Sequence, residues 1–344
     1  MWGALTVESP FLTLGIETSC DDTAVCVLEN QRTVLAQGIS SQIEEHAPFG
    51  GVVPEVASRC HQEALLPLLR RTLEKAGIHN PARQLSLIAV TAGPGLVGSL
   101  LVGVMSAKAL AQAWEVSLVG VNHLEGHLFA NVAVHPSLEP PFLSLIVSGG
   151  HTEIVFVRSF GEYELLGETK DDAVGEAYDK VAKLLGLGYP GGPEVDRLAR
   201  EGDPDAFPLP VPLEHSDEIG FSFSGLKTAV LWVLRRLEKE GKPIPVAHVC
   251  ASFQKAAVAS LVGKVRLAVL RSGVRRVAVS GGVAANSALR NALSALPGVE
   301  IFLPPLSLCT DNAVMIAAAG YNIYRRGFFS DLSLSPDPSL PLSR

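Results

Sequence analysis

Short apolar runs separated by polar or glycine-bearing turns recur along this chain, and they recur in pairs. Leu12 to Ile16 is apolar, Glu17 to Thr23 is polar, and Ala24 to Leu28 is apolar again, which predicts strand, tight turn, strand. The pattern returns at Phe142 to Val147, Ser148-Gly149-Gly150-His151-Thr152, and Ile154 to Val157. A second kind of unit also repeats. Leu87 to Val90 leads through Thr91-Ala92-Gly93-Pro94-Gly95 into a run rich in Leu, Val and Ala, and Val277 to Val279 leads through Ser280-Gly281-Gly282 into Ala284 to Leu293. Both read as a buried strand, a glycine turn and a helix.

This duplication predicts an α/β chain of two related lobes with a cleft between them. The first lobe is expected over residues 1–137, ending in the proline-bearing connector Pro136 to Pro141. The second spans 138–324 and carries a helical insertion over about 162–270, with a proline-rich loop at Asp203 to Pro212. Residues 325–344 form a tail, whose end from Ser330, rich in Ser, Pro and Leu, is expected to be poorly ordered. Gln84 to Ala107 is 24 residues without a charge, but Gly93-Pro94-Gly95 interrupts it, so a strand, turn and buried helix are expected rather than a membrane span.

Composition narrows the class. Of 344 residues 47% are apolar and 18% charged, which excludes disorder and supplies two cores. Lys plus Arg is 28 against 35 Asp plus Glu, a net charge of -7, which counts against a chain that binds nucleic acid unaided. The paired basic residues Arg70-Arg71, Arg235-Arg236, Arg275-Arg276 and Arg325-Arg326 could nonetheless supply a local path for phosphates. Five scattered cysteines, an odd number without CxxC, and no basic residue before Arg32 point to a reducing cytoplasm and no secretory leader.

Several motifs bear chemistry. Gly93-Pro94-Gly95-Leu96-Val97-Gly98 matches GxGxxG, but with proline inside and late in its lobe it reads as a turn opening a buried helix rather than a dinucleotide site. GxxxxGKS/T, GxSxG and HExxH are absent. His123-Leu124-Glu125-Gly126-His127 places two imidazoles one helical turn apart, a spacing that suits one divalent ion, with Asp311 of Cys309-Thr310-Asp311-Asn312 as a candidate third ligand. The glycine turns at Ser148 to Gly150 and Ser280 to Gly282, expected at matching places of the two lobes, let backbone N–H groups approach a phosphate closely, and Asn286 follows the second. Asp172, Glu176, Asp179 and Lys180 share one side of a helix start that feeds Tyr189-Pro190-Gly191-Gly192-Pro193 and Asp196, an arrangement suited to ribose recognition or simply to solvent. Glu17, Asp21 and Asp22 crowd one turn.

Taken together, these segments resemble the bacterial tRNA N6-adenosine threonylcarbamoyltransferases, the TsaD family, formerly labelled O-sialoglycoprotein endopeptidases. The matching stretches include GIETSCDDT (15–23), HAPFGGVVPEVASRCH (46–61), TAGPGLVGSLLVG (91–103), NHLEGH (122–127), LIVSGGHT (145–152), FSFSGLKT (221–228), SGGVAAN (280–286) and CTDNAVMIA (309–317), in one order. The resemblance implies duplicated ribonuclease-H-like lobes of the sugar kinase/heat-shock-70/actin superfamily. It implies one divalent metal per subunit, iron ahead of zinc, on His123, His127 and Asp311. It implies that Ile146, Val147, Ser148, Gly149, Gly150, Asp179, Gly192, Asp196 and Asn286 hold threonylcarbamoyl-AMP, with ATP or ADP able to occupy the same cleft and His151 bordering it.

The implied reaction passes the threonylcarbamoyl group to N6 of adenosine 37 in tRNAs reading ANN codons and releases AMP. Glu17 and Asp22 are then candidates to orient the amine or accept its proton. Where many members read CDET this chain reads CDDT, so Asp22 is one methylene shorter. Implied partners are the tRNA anticodon loop, a non-catalytic paralogue resembling TsaB, a P-loop ATPase resembling TsaE, and a separate synthase for the adenylate, without a membrane. Two other classes stay open from the residues: an ATP-dependent small-molecule kinase or carbamoyltransferase of the same fold, and a non-catalytic nucleotide-binding scaffold, against which the metal-ligand set argues.

Overall fold

The computed structural model describes residues 10–342. The first half of the chain contains β1 (Leu12–Glu17), β2 (Asp22–Glu29), β3 (Thr33–Ser41), α1 (Ile43–His46), α2 (Pro54–Lys75), α3 (Pro81–Gln84), β4 (Leu87–Gly93), α4 (Val97–Trp114), β5 (Ser117–Asn122) and α5 (His123–Val134). The second contains β6 (Phe142–Val147), β7 (Thr152–Ser159), β8 (Glu162–Glu168), α6 (Val174–Leu184), α7 (Gly191–Ala199), α8 (Ser224–Lys239), α9 (Val246–Ser272), β9 (Arg276–Ser280), α10 (Ser287–Ser294), β10 (Glu300–Phe302) and α11 (Ala313–Arg325).

The duplication read from the sequence is present in the sheets. One sheet has the order β3-β2-β1-β4-β5 and the other, read from its opposite edge, β8-β7-β6-β9-β10. In each, the first three strands in sequence form an antiparallel meander, and the next two add in parallel beside the first. The central parallel strand Leu87–Gly93 is buried on both faces along its whole length and reads as a near-continuous apolar run. The chain forms two compact units. One comprises the chain up to Ser41, Ala57–Phe129 and Asn312–Leu340; the other comprises Gln42–Val56, Ala130–Asp311 and the end of the chain.

That division departs from the expected one in three ways. The chain returns to the first unit at its end: α11 packs on β1, β2, β4 and β5. It lies close because small residues face each other. A Cβ on Gly15 would sit 2.4 Å from Ala313 O, and one on Gly320 2.3 Å from Ala89 Cβ. The insertion begins later than 162, because residues 162–168 are strand β8, which completes the second meander, and the helices run from α6 to α9. The tail is a packed strap rather than a loose end. Ser330 N donates to Leu118 O (2.7 Å), Asp337 N to Ala92 O (2.8 Å), Gly95 N to Pro338 O (3.2 Å) and Lys108 Nζ to Leu334 O (3.0 Å). These backbone groups would be exposed polar atoms without the strap, and the glycines of the first unit leave room for it.

Two helices among the described residues, α4 and α9, are long and apolar enough to cross a membrane by length and composition. Packing accounts for both. α4 lays Leu100, Val104, Ala107 and Ala111 on the first sheet, and α9 runs through the core of the second unit with Val249, Phe253, Ala257, Leu261, Val265 and Ala268 buried.

Candidate functional site

In the first unit, β5 ends at Asn122, whose side-chain oxygen accepts hydrogen bonds from Leu124 N (2.9 Å) and Glu125 N (3.3 Å). This caps α5 at its first turn and presents His123 and His127 on one face. Their rings meet edge to face with centroids 4.7 Å apart, and both side chains are buried. Asp311 directly precedes Asn312, the N-cap of α11, which accepts from Met315 N at 3.0 Å. One ligand atom from each of His123, His127 and Asp311 lies within 4.8 Å of the others. Two imidazoles and a carboxylate at this spacing fit one divalent ion with coordination left over for another ligand. The Cys309 thiol is turned to the carbonyl of Pro305 (3.6 Å), and burial raises its pKa although Arg290 pulls the other way.

Glu17 supports this cluster from below. It is fully buried at the end of β1. Its Oε1 accepts from Ser19 N, its Oε2 accepts from the Thr91 hydroxyl at 2.6 Å, and Oε2 lies 3.1 Å from His123 Nδ1. Ser19 Oγ also lies 3.1 Å from Nδ1. Asp22, the other first-lobe acid, opens β2 and is half-buried, its backbone in register with Ser41.

The GxGxxG-like turn is filled by the protein itself. A Cβ on Gly93 would fall 1.8 Å from Asp337 O, one on Gly95 2.6 Å from Ser19 O, and one on Gly98 2.3 Å from Ser58 Oγ. These glycines serve close packing against Asp337, Ser19 and Ser58, so the turn opens a helix as the sequence reading expected, though one whose first residue, Val97, is exposed, and they leave no berth for a dinucleotide.

In the second unit the two glycine turns sit side by side rather than at matching places of two lobes. They follow β6 and β9, which pair in parallel, so both emerge at the same sheet end. Gly281 has φ +91°, and a Cβ there would lie 2.3 Å from Val147 O. The first turn is pinned by Ser148 N to His151 O (2.8 Å) and His151 N to Ser148 Oγ (3.0 Å). Gly175 N, on the first turn of α6, donates to Ser148 O at 3.2 Å, and a Cβ on Gly175 would lie 2.9 Å from Gly149 Cα. A helix start thus abuts the glycine turn. Gly149 and Gly150 are exposed, and a Cβ on either would meet open space. Ile146 and Val147 are buried strand residues that carry this turn.

The remaining candidates form the frame around it. Asp179 Oδ1 accepts from Gly191 N (2.7 Å) and so fixes the start of α7, beside Gly192, where a Cβ would again meet open space. Asp196 Oδ1 accepts from Ser287 Oγ (2.8 Å), while its Oδ2 accepts from Arg200 (2.7 Å). Asn286 is the N-cap of α10 and accepts from Leu289 N; the expected helix over 284–293 therefore splits into a 3-10 turn and a helix from Ser287. Lys180 pairs with Asp172 (2.7 Å) and Glu176 (2.9 Å), so that side of the helix start is a solvated charge cluster. A small cavity of about 110 Å³ lies against Asp179, lined also by Ala47, Gly50, Lys183, Leu187, Gly188 and Tyr189.

Sequence reasoning missed Gln254 and Tyr178. Asn286 Nδ2 donates to Gln254 Oε1 at 2.7 Å and lies 3.4 Å from the Tyr178 hydroxyl, which burial and then the charge of Asp196 hold in its neutral form. Gln254 sits in a helix of small apolar residues, and only its polarity at a core position could have drawn attention to it.

A family model described as TsaD: tRNA N6-adenosine threonylcarbamoyltransferase matches residues 33–318. The chain is 51% identical to the tRNA N6-adenosine threonylcarbamoyltransferase of Dictyoglomus turgidum over 96% of its length and 99% of that protein. It is 50% identical to the one from Geobacillus thermodenitrificans, covering 99% of both. Among solved structures it resembles HypF of T. kodakarensis (TM-score 0.59, 17% identity, 96% of this chain, 50% of that one). It also resembles component A of the (R)-2-hydroxyglutaryl-CoA dehydratase of Acidaminococcus fermentans (TM-score 0.54, 16% identity, 91% and 98%). At such identities the structural likeness speaks to the fold alone.

Proposed function

Because the chain belongs to the TsaD family of tRNA N6-adenosine threonylcarbamoyltransferases and forms threonylcarbamoyladenosine in tRNA, we propose that it divides this work between two groups of its own residues. His123, His127 and Asp311 hold one divalent metal, iron ahead of zinc. The observation that carries this is the approach of the three ligand atoms to within 4.8 Å on a buried helix face. The ion supplies Lewis acidity toward a carbonyl or phosphate oxygen. Glu17, with both oxygens engaged inside the protein, positions His123 through Nδ1 and leaves Nε2 as the ligand nitrogen. Of the two first-lobe acids, this leaves Asp22 as the candidate to orient the adenosine amine or take its proton.

Gly149 and Gly150 offer backbone N–H groups to the phosphate of threonylcarbamoyl-AMP, which stabilises AMP as it departs, while Ser148, whose own N–H is donated to His151 O, holds the turn in place. Support comes from the open space over both glycines and the helix start behind them. Gly192 gives the same close approach at α7, while Asp179, Asp196 and Asn286 hold the frame that shapes the adenylate site. ATP or ADP would fit the same donors. The other participants are a TsaB-like paralogue, a TsaE-like P-loop ATPase and a synthase that supplies the adenylate, all in the cytoplasm. The exposed stripe Val97, Leu101 and Met105 on α4 suits a helical partner of that kind.

The test is a reconstituted transfer with labelled threonine, ATP, bicarbonate, the synthase, the partner proteins and unmodified tRNA. Digested tRNA should contain threonylcarbamoyladenosine with wild type and none with His123→Ala. Equal yield from both would remove the metal cluster from the reaction, and a labelled small-molecule product formed without tRNA would favour the kinase or carbamoyltransferase reading.

A further inference from the structure

A chain with net charge -7 acts on a polyanion, so some local face must present cations. Of the arginine pairs, Arg70 is tied to Glu74 (3.1 Å), and Arg326 faces Glu125 (3.9 Å) and is only partly exposed. The pair on α8 combines exposed guanidinium groups with an exposed tryptophan ring on one helix face. α8 buries Leu226, Val230, Leu234 and Leu237, which turns Thr228, Trp232, Arg235, Arg236 and Lys239 outward. Trp232 is 63% exposed, unusual for so large an apolar ring, and the Arg235 guanidinium lies 5.7 Å over it. Among the described residues no carboxylate lies within 4.0 Å of Arg235, Arg236 or Lys239. The nearby acids are Glu238 on the same helix and Glu240 just beyond it. Glu240 is engaged by Lys242 at 2.8 Å, which lowers its pKa, with a smaller contribution from Arg236. The N-terminus of α8 is anchored rigidly, since Asp171 accepts from Phe223 N (2.7 Å), Ser224 N (3.1 Å) and the hydroxyls of Ser222 and Ser224.

We propose that the outer face of α8 is a tRNA contact: Trp232 stacks on an unpaired base, and Arg235, Arg236 and Lys239 bind the neighbouring phosphates. An exposed aromatic ring beside unpaired cations is the chemistry by which proteins hold single-stranded segments of RNA. Residues 232 to 239 span about 10 Å of helix, enough for a few nucleotides. The inference rests on tRNA being the substrate. None of these side chains belongs to the metal or adenylate groups, so they affect how tRNA is held and not the transfer itself.

The test measures KM for unmodified tRNA, kcat, and the salt dependence of tRNA binding in the reconstituted system. The variants are Trp232→Ala, Trp232→Phe and the triple variant Arg235→Glu, Arg236→Glu, Lys239→Glu. Trp232→Ala should raise KM about fivefold or more, with Trp232→Phe recovering part of it. The triple variant should raise KM about tenfold or more and reduce the slope of log K against log salt by about 2 to 3. For each, kcat at saturating tRNA should stay within about twofold, because the chemical groups are untouched. All the altered side chains are exposed, so melting temperatures should match wild type. Wild-type KM and salt slope in both the Ala and the triple variant would overturn the proposal, as would unchanged tRNA parameters with loss of a protein partner. If wild type itself formed no modified tRNA, the functional reading would fail instead.

Discussion

Glu17→Gln tests how the histidine helix is held. The carboxylate of Glu17 accepts from Ser19 N, from the Thr91 hydroxyl and from His123 Nδ1. Acceptance at Nδ1 keeps the imidazole proton there and leaves Nε2 bare for a metal. Glutamine has nearly the same shape but carries an NH2 group. With its oxygen toward Ser19 N, the NH2 group faces Thr91 and His123. The Thr91 hydroxyl can rotate to accept, but Nδ1 can accept only if the imidazole proton moves to Nε2, where it blocks the ligand nitrogen. The flipped amide instead sets a donor against Ser19 N–H in a fully buried site, at about 1–3 kcal/mol. Loss of such an outer partner lowers metal affinity about 10–100-fold, or about 1.4–2.7 kcal/mol. The assay is Zn2+ competition against a chromophoric chelator, well below the melting midpoint, with His123→Ala as the floor. Imidazole nitrogen shifts of the metal-free protein report the tautomer. Wild-type affinity in Glu17→Gln with the proton still on Nδ1 would refute the positioning role.

Gly281→Ala should strain the adjoining glycine turns, because φ is +91° and the new Cβ would fall 2.3 Å from Val147 O; the backbone conformation and the overlap together cost about 2–5 kcal/mol. Thermal melting checks this, and an unchanged midpoint would show that the turns can separate freely. Burial first, and then the charge of Glu168, push Glu153 on β7 from 4.5 to about 7. The folded protein therefore keeps this proton between those values while the unfolded chain loses it, so stability falls as pH rises from about 4.5 through about 7. Glu153→Gln should accordingly stabilise the protein at pH 8 by up to about 3 kcal/mol and do little at pH 4.5; the same shift in melting temperature at both would show that Glu153 does not titrate in this way.

Much of the fold was legible in the chain because alternating apolar runs and turns are local. The strand pairs at Leu12 to Leu28 and Phe142 to Val157, the glycine-turned units at Leu87 and Val277, and the repeat relating them needed only nearest-neighbour chemistry. The His123 and His127 spacing is likewise a property of one helical turn. The metal-candidate cluster was half legible: the two histidines share a helix, but Asp311 lies far along the chain, and only the folded protein brings its oxygen within 4.8 Å of their ring atoms.

Tertiary structure decided the rest. It returned α11 to the first sheet, because Gly15 and Gly320 permit an approach that larger residues would forbid, and no local pattern records which sheet a small-residue helix will meet. It turned the Ser-Pro-Leu tail into a strap, since Ser330 and Asp337 find backbone partners at Leu118 and Ala92 that lie far away in the chain. It placed both glycine turns on neighbouring strands, a consequence of parallel pairing between β6 and β9. And it buried Glu17, expected as a candidate to orient the amine or accept its proton, against His123, because whether a carboxylate meets water or a histidine depends on what packs over it. Local patterning carried the strand pairs, the repeat and the chemical groups available, but not strand β8 or the break before α10. Which of these groups come together depends on contacts between residues far apart in the chain, which no local pattern encodes.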